Sequence, residues 1–247
     1  MKILLLDIET APNKVYTWQV WDTNISPDKM VESSYVMCVA AKWLGEEDTF
    51  FMSVWNDSEV GMLQMIHALL DEADVVVHYN GSKFDIPVLN KEFLKYNMAP
   101  PSPYKNLDLY QVVRRTFKFI YNKLDYVTQH LGLEGKVKHR GFQLWIDCME
   151  GIKTAQMEME EYNIQDILIL ENLYNRLIPW IQNHPNHSTY SNELCCPKCS
   201  SKSFQSRGYT VTRLSRYRRF QCNDCGGWFK SNKPEPRAKL VMTNIPV

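Results

Sequence analysis

With 247 residues, 45% of them apolar and 23% charged, the chain has ordinary globular composition with room for one sizeable domain and a small companion, which excludes a disordered or low-complexity protein. Its formal charge is zero, yet residues 191–247 hold 11 Lys and Arg against 3 Asp and Glu, leaving 17 against 25 elsewhere: a basic end on an acidic body. No apolar run reaches the roughly 18 residues of a membrane helix, and the N-terminal one is broken at Asp7, too short for a signal peptide, so we expect a soluble, cytoplasmic protein with no membrane partner, in the host cytoplasm if the source is viral.

Lys2-Ile3-Leu4-Leu5-Leu6 is an apolar run that stops in Asp7-Ile8-Glu9-Thr10, the pattern of a buried strand ending in two acids. Side chains alternate along a strand, so Asp7 and Glu9 share a face while Ile8 points away. Ionised carboxylates beside such a strand are costly unless a cation or donors compensate, which makes the pair a candidate metal site. Residues 11–31 carry Pro12, Pro27 and the aromatics Tyr16, Trp18 and Trp21 without periodicity, and read as a long loop near those acids. Residues 34–44 and 49–55 are β-rich on either side of Gly45-Glu46-Glu47-Asp48, an expected antiparallel pair. Ser58 suits the N-cap of a helix through Glu72, with Met62, Met65, Ile66, Leu69 and Leu70 as its apolar face.

Residues 74–79 are the next buried strand, ending in the turn signal Asn80-Gly81; Ser82-Lys83-Phe84-Asp85 then opens a helix bearing Ile86, Leu89, Phe93 and Leu94. Asp85 therefore stands where a strand hands over to a helix. Leu107-Asp108-Leu109 predicts a short strand entering a helix over 110–117, and 124–131 a further helix ended by Gly132. Lys136, Lys138, His139 and Arg140 form a basic, glycine-flanked loop that either meets phosphate or is merely solvated. From 154 to about 180 the period is helical, and Tyr162 and Asp166, four apart, project from one face. Residues 183–193, with His184 and His187, are polar and aperiodic and read as a linker.

Strands alternating with helices, after an antiparallel opening, predict a mixed sheet flanked by helices, in which sites form at the carboxyl ends of parallel strands. Asp7, Glu9 and Asp85 fall at such ends, and Asp166 comes from the late helix. These residues carry a resemblance: Asp7-Ile8-Glu9-Thr10, Asn80 through Asp85, and Tyr162-x-x-x-Asp166 resemble the three exonuclease motifs of the DEDD superfamily of ribonuclease-H-like 3′-5′ exonucleases, which includes standalone phage exonucleases and the proofreading domains of family-B DNA polymerases. The histidine branch of that superfamily places His five residues before the last acid; here that position is Glu161, so the chain is similar to the tyrosine branch. The resemblance implies an α/β ribonuclease-H-like fold and in-line phosphodiester hydrolysis with two Mg²⁺ or Mn²⁺ ions, Asp7 bridging both, Glu9 and Asp166 on the nucleophile side and Asp85 on the other. A phenol with its ordinary pKa near 10 is no base at neutral pH, so Tyr162 is expected to orient the attacking water. Asn80 is read as making the turn and Phe84 as packing.

Of seven cysteines, Cys38 and Cys148 stand in apolar contexts and five crowd into 195–225. Cys196-Pro197-Lys198-Cys199, 22 residues, then Cys222-Asn223-Asp224-Cys225 supplies four thiolates in two knuckles, resembling a β zinc ribbon whose closed Cys₄ site would hold one structural Zn²⁺. Cys195 competes with Cys196 for the ligand role; spacing favours Cys196. Arg213, Arg216, Arg218 and Arg219, interleaved with Tyr209, Tyr217, Phe220 and Trp228, suit phosphate pairing and base stacking on a single strand, the other use of such a module being protein docking.

We therefore expect a nuclease domain over residues 1–182, a linker over 183–192, the zinc ribbon over 193–233 and a tail over 234–247. The expected activity is 3′-5′ hydrolysis of single-stranded DNA in replication, repair or proofreading, and the expected partners are the nucleic acid and a DNA polymerase or other replication protein. RNA as substrate, or an inactive nucleic-acid-binding adaptor on the same scaffold, are the alternatives.

Overall fold

The computed structural model describes residues 1–21, 24–133, 135 and 140–236, so Lys136, Lys138 and His139 of the basic loop, and the last eleven residues of the tail, lie outside the described residues. The chain divides into two compact units, Met1–Tyr174 and Asn175–Val247.

In the first unit, β1 (Ile3–Thr10) is followed by a small two-stranded ribbon of β2 (Lys14–Val15) and β3 (Met30–Glu32), then β4 (Val36–Trp43), β5 (Thr49–Ser53), helix α1 (Val54–Glu72), β6 (Val75–His78), α2 (Asp85–Lys95), β7 (Lys105–Asp108) and helices α3 (Leu109–Thr116), α4 (Leu124–His130), α5 (Gln143–Met149) and α6 (Lys153–Leu177). The main sheet runs β5-β4-β1-β6-β7: β1 is antiparallel to β4 and parallel to β6, and β6 is parallel to β7. It is the mixed, helix-flanked sheet of a ribonuclease-H-like α/β fold. Among the described residues no helix is long and apolar enough to cross a membrane.

Period-two alternation decides what each side of β1 faces. Leu4, Leu6 and Ile8 join the core built with Met62, Leu63 and Ile66 of α1 and Ile86, Leu89 and Phe93 of α2. The intervening residues face the opposite side, where Cys38, Leu144, Cys148, Ala155, Met159 and Tyr162 form a second apolar cluster. Register sets Asp7 opposite Ala40 and Glu9 opposite Cys38, so the two acids lie beside that second cluster. On the same side, the buried Lys42 of β4 pairs with Glu171 and ties the sheet to α6.

Three local differences from the sequence reading have simple causes. Helix α1 starts at Val54, because Ser53 Oγ accepts from Asn56 N at 3.2 Å; Ser58, at φ 63°, kinks the helix and caps its second part by accepting from Gly61 N at 3.2 Å. The expected long loop after β1 contains the β2–β3 ribbon, closed by Lys14 pairing with Glu32, while Tyr16, Trp18 and Trp21 stay exposed. Helix α5, which the sequence reading did not anticipate, is anchored by Leu144 and Cys148, one turn apart. Its partner Arg140, considered above for phosphate, is committed elsewhere: it bonds Glu158 at 2.7–2.9 Å and Asp147 at 2.7 Å.

In the second unit, β8 (Phe204–Val211), β9 (Arg216–Cys222) and β10 (Trp228–Lys230) make an antiparallel sheet in the order β10-β9-β8. The segment before it folds rather than running as plain linker: Asn186 Oδ1 accepts from Ser188 N at 2.9 Å and caps a short 3₁₀ turn, His187 N donates to Pro197 O at 2.8 Å, and the His184 and His187 rings stack at 5.7 Å.

Candidate functional site

The end of β1 and the face of α6 bring three acids together. One carboxylate oxygen from each of Asp7, Glu9 and Asp166 lies within 4.8 Å of the others, with Asp166 buried and the other two half-buried. Hard, anionic oxygens so close repel one another in a poorly solvated place, and the donor set suits a divalent cation of the Mg²⁺ or Mn²⁺ kind.

The helix supplies more than Asp166. Tyr162, one turn earlier, is 6% exposed and meets the Trp145 ring edge-on at 6.1 Å. Asn163, fully buried, donates from Nδ2 to Asp7 Oδ2 at 2.7 Å, and Trp145 of α5 donates from Nε1 to Glu9 Oε2 at 3.1 Å. Each bond fixes one carboxylate and leaves other lone pairs for a ligand. Neither Asn163 nor Trp145 figured in the sequence reading. Asn163 lies three residues before Asp166 and so shares its face, which is a local signal; Trp145 carries none, because its contact depends on how α5 packs.

Asp85 stands apart from the three-acid cluster. It begins α2, 5% exposed, and its Oδ1 accepts from Ile8 N, between Asp7 and Glu9, at 3.2 Å. Burial pushes its carboxyl up to about 6, the neighbouring Asp108 charge adding to the rise and the backbone donors of Asp85 and Ile8 offsetting part of it. At neutral pH Asp85 is thus an anion held at a cost, one bond away from the acidic strand.

The turn that delivers Asp85 depends on two further residues. Asn80 takes the left-handed conformation, φ 67°, and a Cβ at Gly81 would come within 2.6 Å of the buried His78 ring, so the position needs glycine. Asp108, at the end of β7, accepts from Asn80 N at 2.9 Å and from Tyr110 N at 3.0 Å, holding both β6 and β7 exits. Burial lowers the pKa of His78, against the opposing charge of Asp108 and a hydrogen bond with Asn106, which favours the neutral ring. Phe84, expected to pack, is 44% exposed.

In the ribbon, Cys196, Cys199, Cys222 and Cys225 bring their Sγ atoms within 4.8 Å of one another, with Cys196 to Cys225 at 3.7 Å and Cys199 to Cys222 at 3.6 Å. A tetrahedral Zn²⁺ with Zn–S near 2.3 Å requires sulfurs roughly 3.8 Å apart, so the thiols already stand at ligand spacing. Cys195 is outside this group; buried, it lines a cavity with Phe204, Phe220 and Phe229 instead. Burial raises the thiols of Cys199 and Cys225, the latter to about 11. Against the same burial, donors from the Cys225 and Asp224 backbone bring Cys222 down to about 7. The four arginines expected to meet nucleic acid are divided: Arg216 and Arg218 lie on one face of β9, Arg219 on the other, and Arg213 is in the turn before it.

The RNase_H_2 family model matches residues 4–178, and the chain belongs to the RNase H superfamily. Among solved structures, the family B DNA polymerase from the hyperthermophilic archaeon Pyrobaculum calidifontis is similar, with a TM-score of 0.54 at 16% identity over 72% of this chain and 24% of the polymerase chain. The likeness is one of fold, and this chain spans about a quarter of that polymerase. No curated protein matches. RNase H-like nucleases use divalent metals, and the three converging carboxylates are compatible with that use.

Proposed function

We propose that the protein is a metal-dependent 3′-5′ exonuclease of the tyrosine-branch type acting on single-stranded DNA. The observation that carries the reading is the convergence of Asp7, Glu9 and Asp166 to within 4.8 Å, with Tyr162 one helical turn from Asp166. Asp7, Glu9 and Asp166, with Asp85 beside them, would hold two Mg²⁺ or Mn²⁺ ions. Such ions neutralise phosphate charge, acidify water and stabilise the leaving oxygen.

The chain's own residues prepare that chemistry. Asn163 and Trp145 hold Asp7 and Glu9 in fixed rotamers, so little reorganisation is needed when a phosphodiester arrives. Tyr162, wedged against Trp145, points a phenol whose task is to orient water rather than deprotonate it. The Asn80-Gly81 turn, packed on the buried His78 ring, positions the start of α2 and with it Asp85. The four-thiolate ribbon would hold one structural Zn²⁺, a closed site with no position for water. A role in replication or repair, with a polymerase or other replication protein as partner, is part of this proposal.

The test is hydrolysis of 5′-labelled single-stranded DNA and RNA of equal length with Mg²⁺ or Mn²⁺. We expect stepwise shortening from the 3′ end, faster on DNA, and loss of at least about a hundredfold in rate for Asp166→Asn with its fold intact. Wild-type rates in that variant, or products shortened from the 5′ end, would refute the assignment.

A further inference from the structure

The two faces of the ribbon sheet are chemically different. On one face Phe229 pairs across strands with Phe220, and Phe204 with Cys222; the three Phe rings meet at 5.4–5.6 Å and make the module's core. Towards the hairpin tip the same face carries Arg216 and Arg218 against Tyr209, and Arg218 is paired with Glu235 at 2.9 Å.

The opposite face has no such core. Register places Lys230 opposite Arg219 and Trp228 opposite Gln221, and alternation adds Tyr217 to that side. Cations and rings alternate across it: Lys230 Nζ lies 4.3 Å from the Tyr217 ring centroid, and the Arg219 guanidinium 4.9 Å from that of Trp228, a ring 48% exposed. Arg219 is held in that pose by two donations to Arg207 O, at 3.1 and 3.0 Å, while Arg207 itself donates to Gln221 Oε1 at 3.2 Å. Among the described residues no carboxylate pairs with Arg207, Arg219 or Lys230.

We propose that this face, Arg207, Tyr217, Arg219, Trp228 and Lys230, binds single-stranded nucleic acid. Two features point to that partner rather than to a protein. Three cations without an acidic partner among the described residues, in a segment of 11 basic and 3 acidic residues, complement a polyanion. A guanidinium held over a half-exposed indole by two main-chain hydrogen bonds keeps a cation and a ring side by side, which suits a base stacked beside a phosphate. The strand is gripped here without contributing to the chemistry, and the acidic nuclease unit, which repels such a strand, gains substrate through the linkage.

The inference rests on the nuclease reading only for its biological sense; its test is binding, not cleavage, so the two fail separately. Full-length protein carrying Asp166→Asn would be titrated with fluorescent 30-residue oligothymidylate, oligouridylate and a duplex of equal length, at several NaCl concentrations. We expect both single strands to bind more tightly than duplex, the two arms showing whether the sugar matters. Replacing Arg207, Arg219 and Lys230 together with Gln should lower the slope of log Kd against log salt by about 2, at roughly 0.7 per phosphate neutralised. The opposite-face pair Arg216→Gln and Arg218→Gln should leave the slope of the parent. Trp228→Ala should weaken binding at least about fivefold, and Trp228→Phe less. Zinc content measured on every variant reports the ribbon's integrity; if the triple variant loses zinc, the exposed single change Lys230→Gln decides, with an expected slope change of about 0.7. An unchanged slope in the triple variant, or in Lys230→Gln if that variant decides, equal loss in the opposite-face pair, or equal affinity for duplex would overturn the proposal.

Discussion

Replacing Asp85 with Asn should stabilise the metal-free protein at pH 7.5 while disabling it. In the fold, burial raises the carboxyl from 3.8 to about 6, so the native state holds this proton more tightly than the unfolded chain does. The sign follows from linkage: the group favours the fold at low pH, and that contribution is lost as pH rises from about 4 through 6. At pH 7.5 the ionised form costs the fold about 3 kcal/mol. Asparagine has nearly the same shape and can still accept from Ile8 N, but its buried amide forfeits about 1 kcal/mol of solvation. A net gain of about 2 kcal/mol corresponds to roughly 4–8 °C in Tm for a unit of this size. Differential scanning calorimetry in chelator at pH 7.5, 6 and 4.5 would measure it. The gain should be largest at pH 7.5 and shrink as the wild-type carboxyl becomes protonated. A variant that melts at or below wild type at pH 7.5, or a gain that does not change with pH, would refute the burial argument.

Gly81→Ala places a methyl within 2.6 Å of the His78 ring, under a turn whose other end is pinned by Asp108, so we expect a loss of about 1–3 kcal/mol in urea unfolding and a larger loss of nuclease activity than of stability. Elemental analysis of anaerobically purified protein should find about one zinc per chain. Because Cys225 is raised to about 11, binding must displace protons, so zinc should survive brief chelator treatment at pH 8 and be released increasingly as pH falls below the Cys222 value near 7; release independent of pH would contradict a thiolate site.

What the sequence determined by itself was whatever rests on short-range periodicity and spacing. The leucine run ending in Asp7 and Glu9 implied a central strand with both acids on one face, because strand geometry leaves no other arrangement. The four-residue spacing of Tyr162 and Asp166 implied one helix face, and two Cys-x-x-Cys pairs implied a four-thiolate centre. Tertiary structure decided everything that depends on which surface meets which. Trp145 reaches Glu9 across 136 positions of sequence and Asn163 reaches Asp7 across 156, and no local pattern encodes such contacts. The order of elements placed Asp85 at a strand-to-helix handover, but only packing buries it with its Oδ1 on the Ile8 amide, 77 positions away in sequence. The same applies to the ribbon's arginines: a run of Arg-Tyr-Arg-Arg reads as one basic patch, whereas the pleat sends Arg218 to Glu235 on one face and Arg219 to Trp228 on the other.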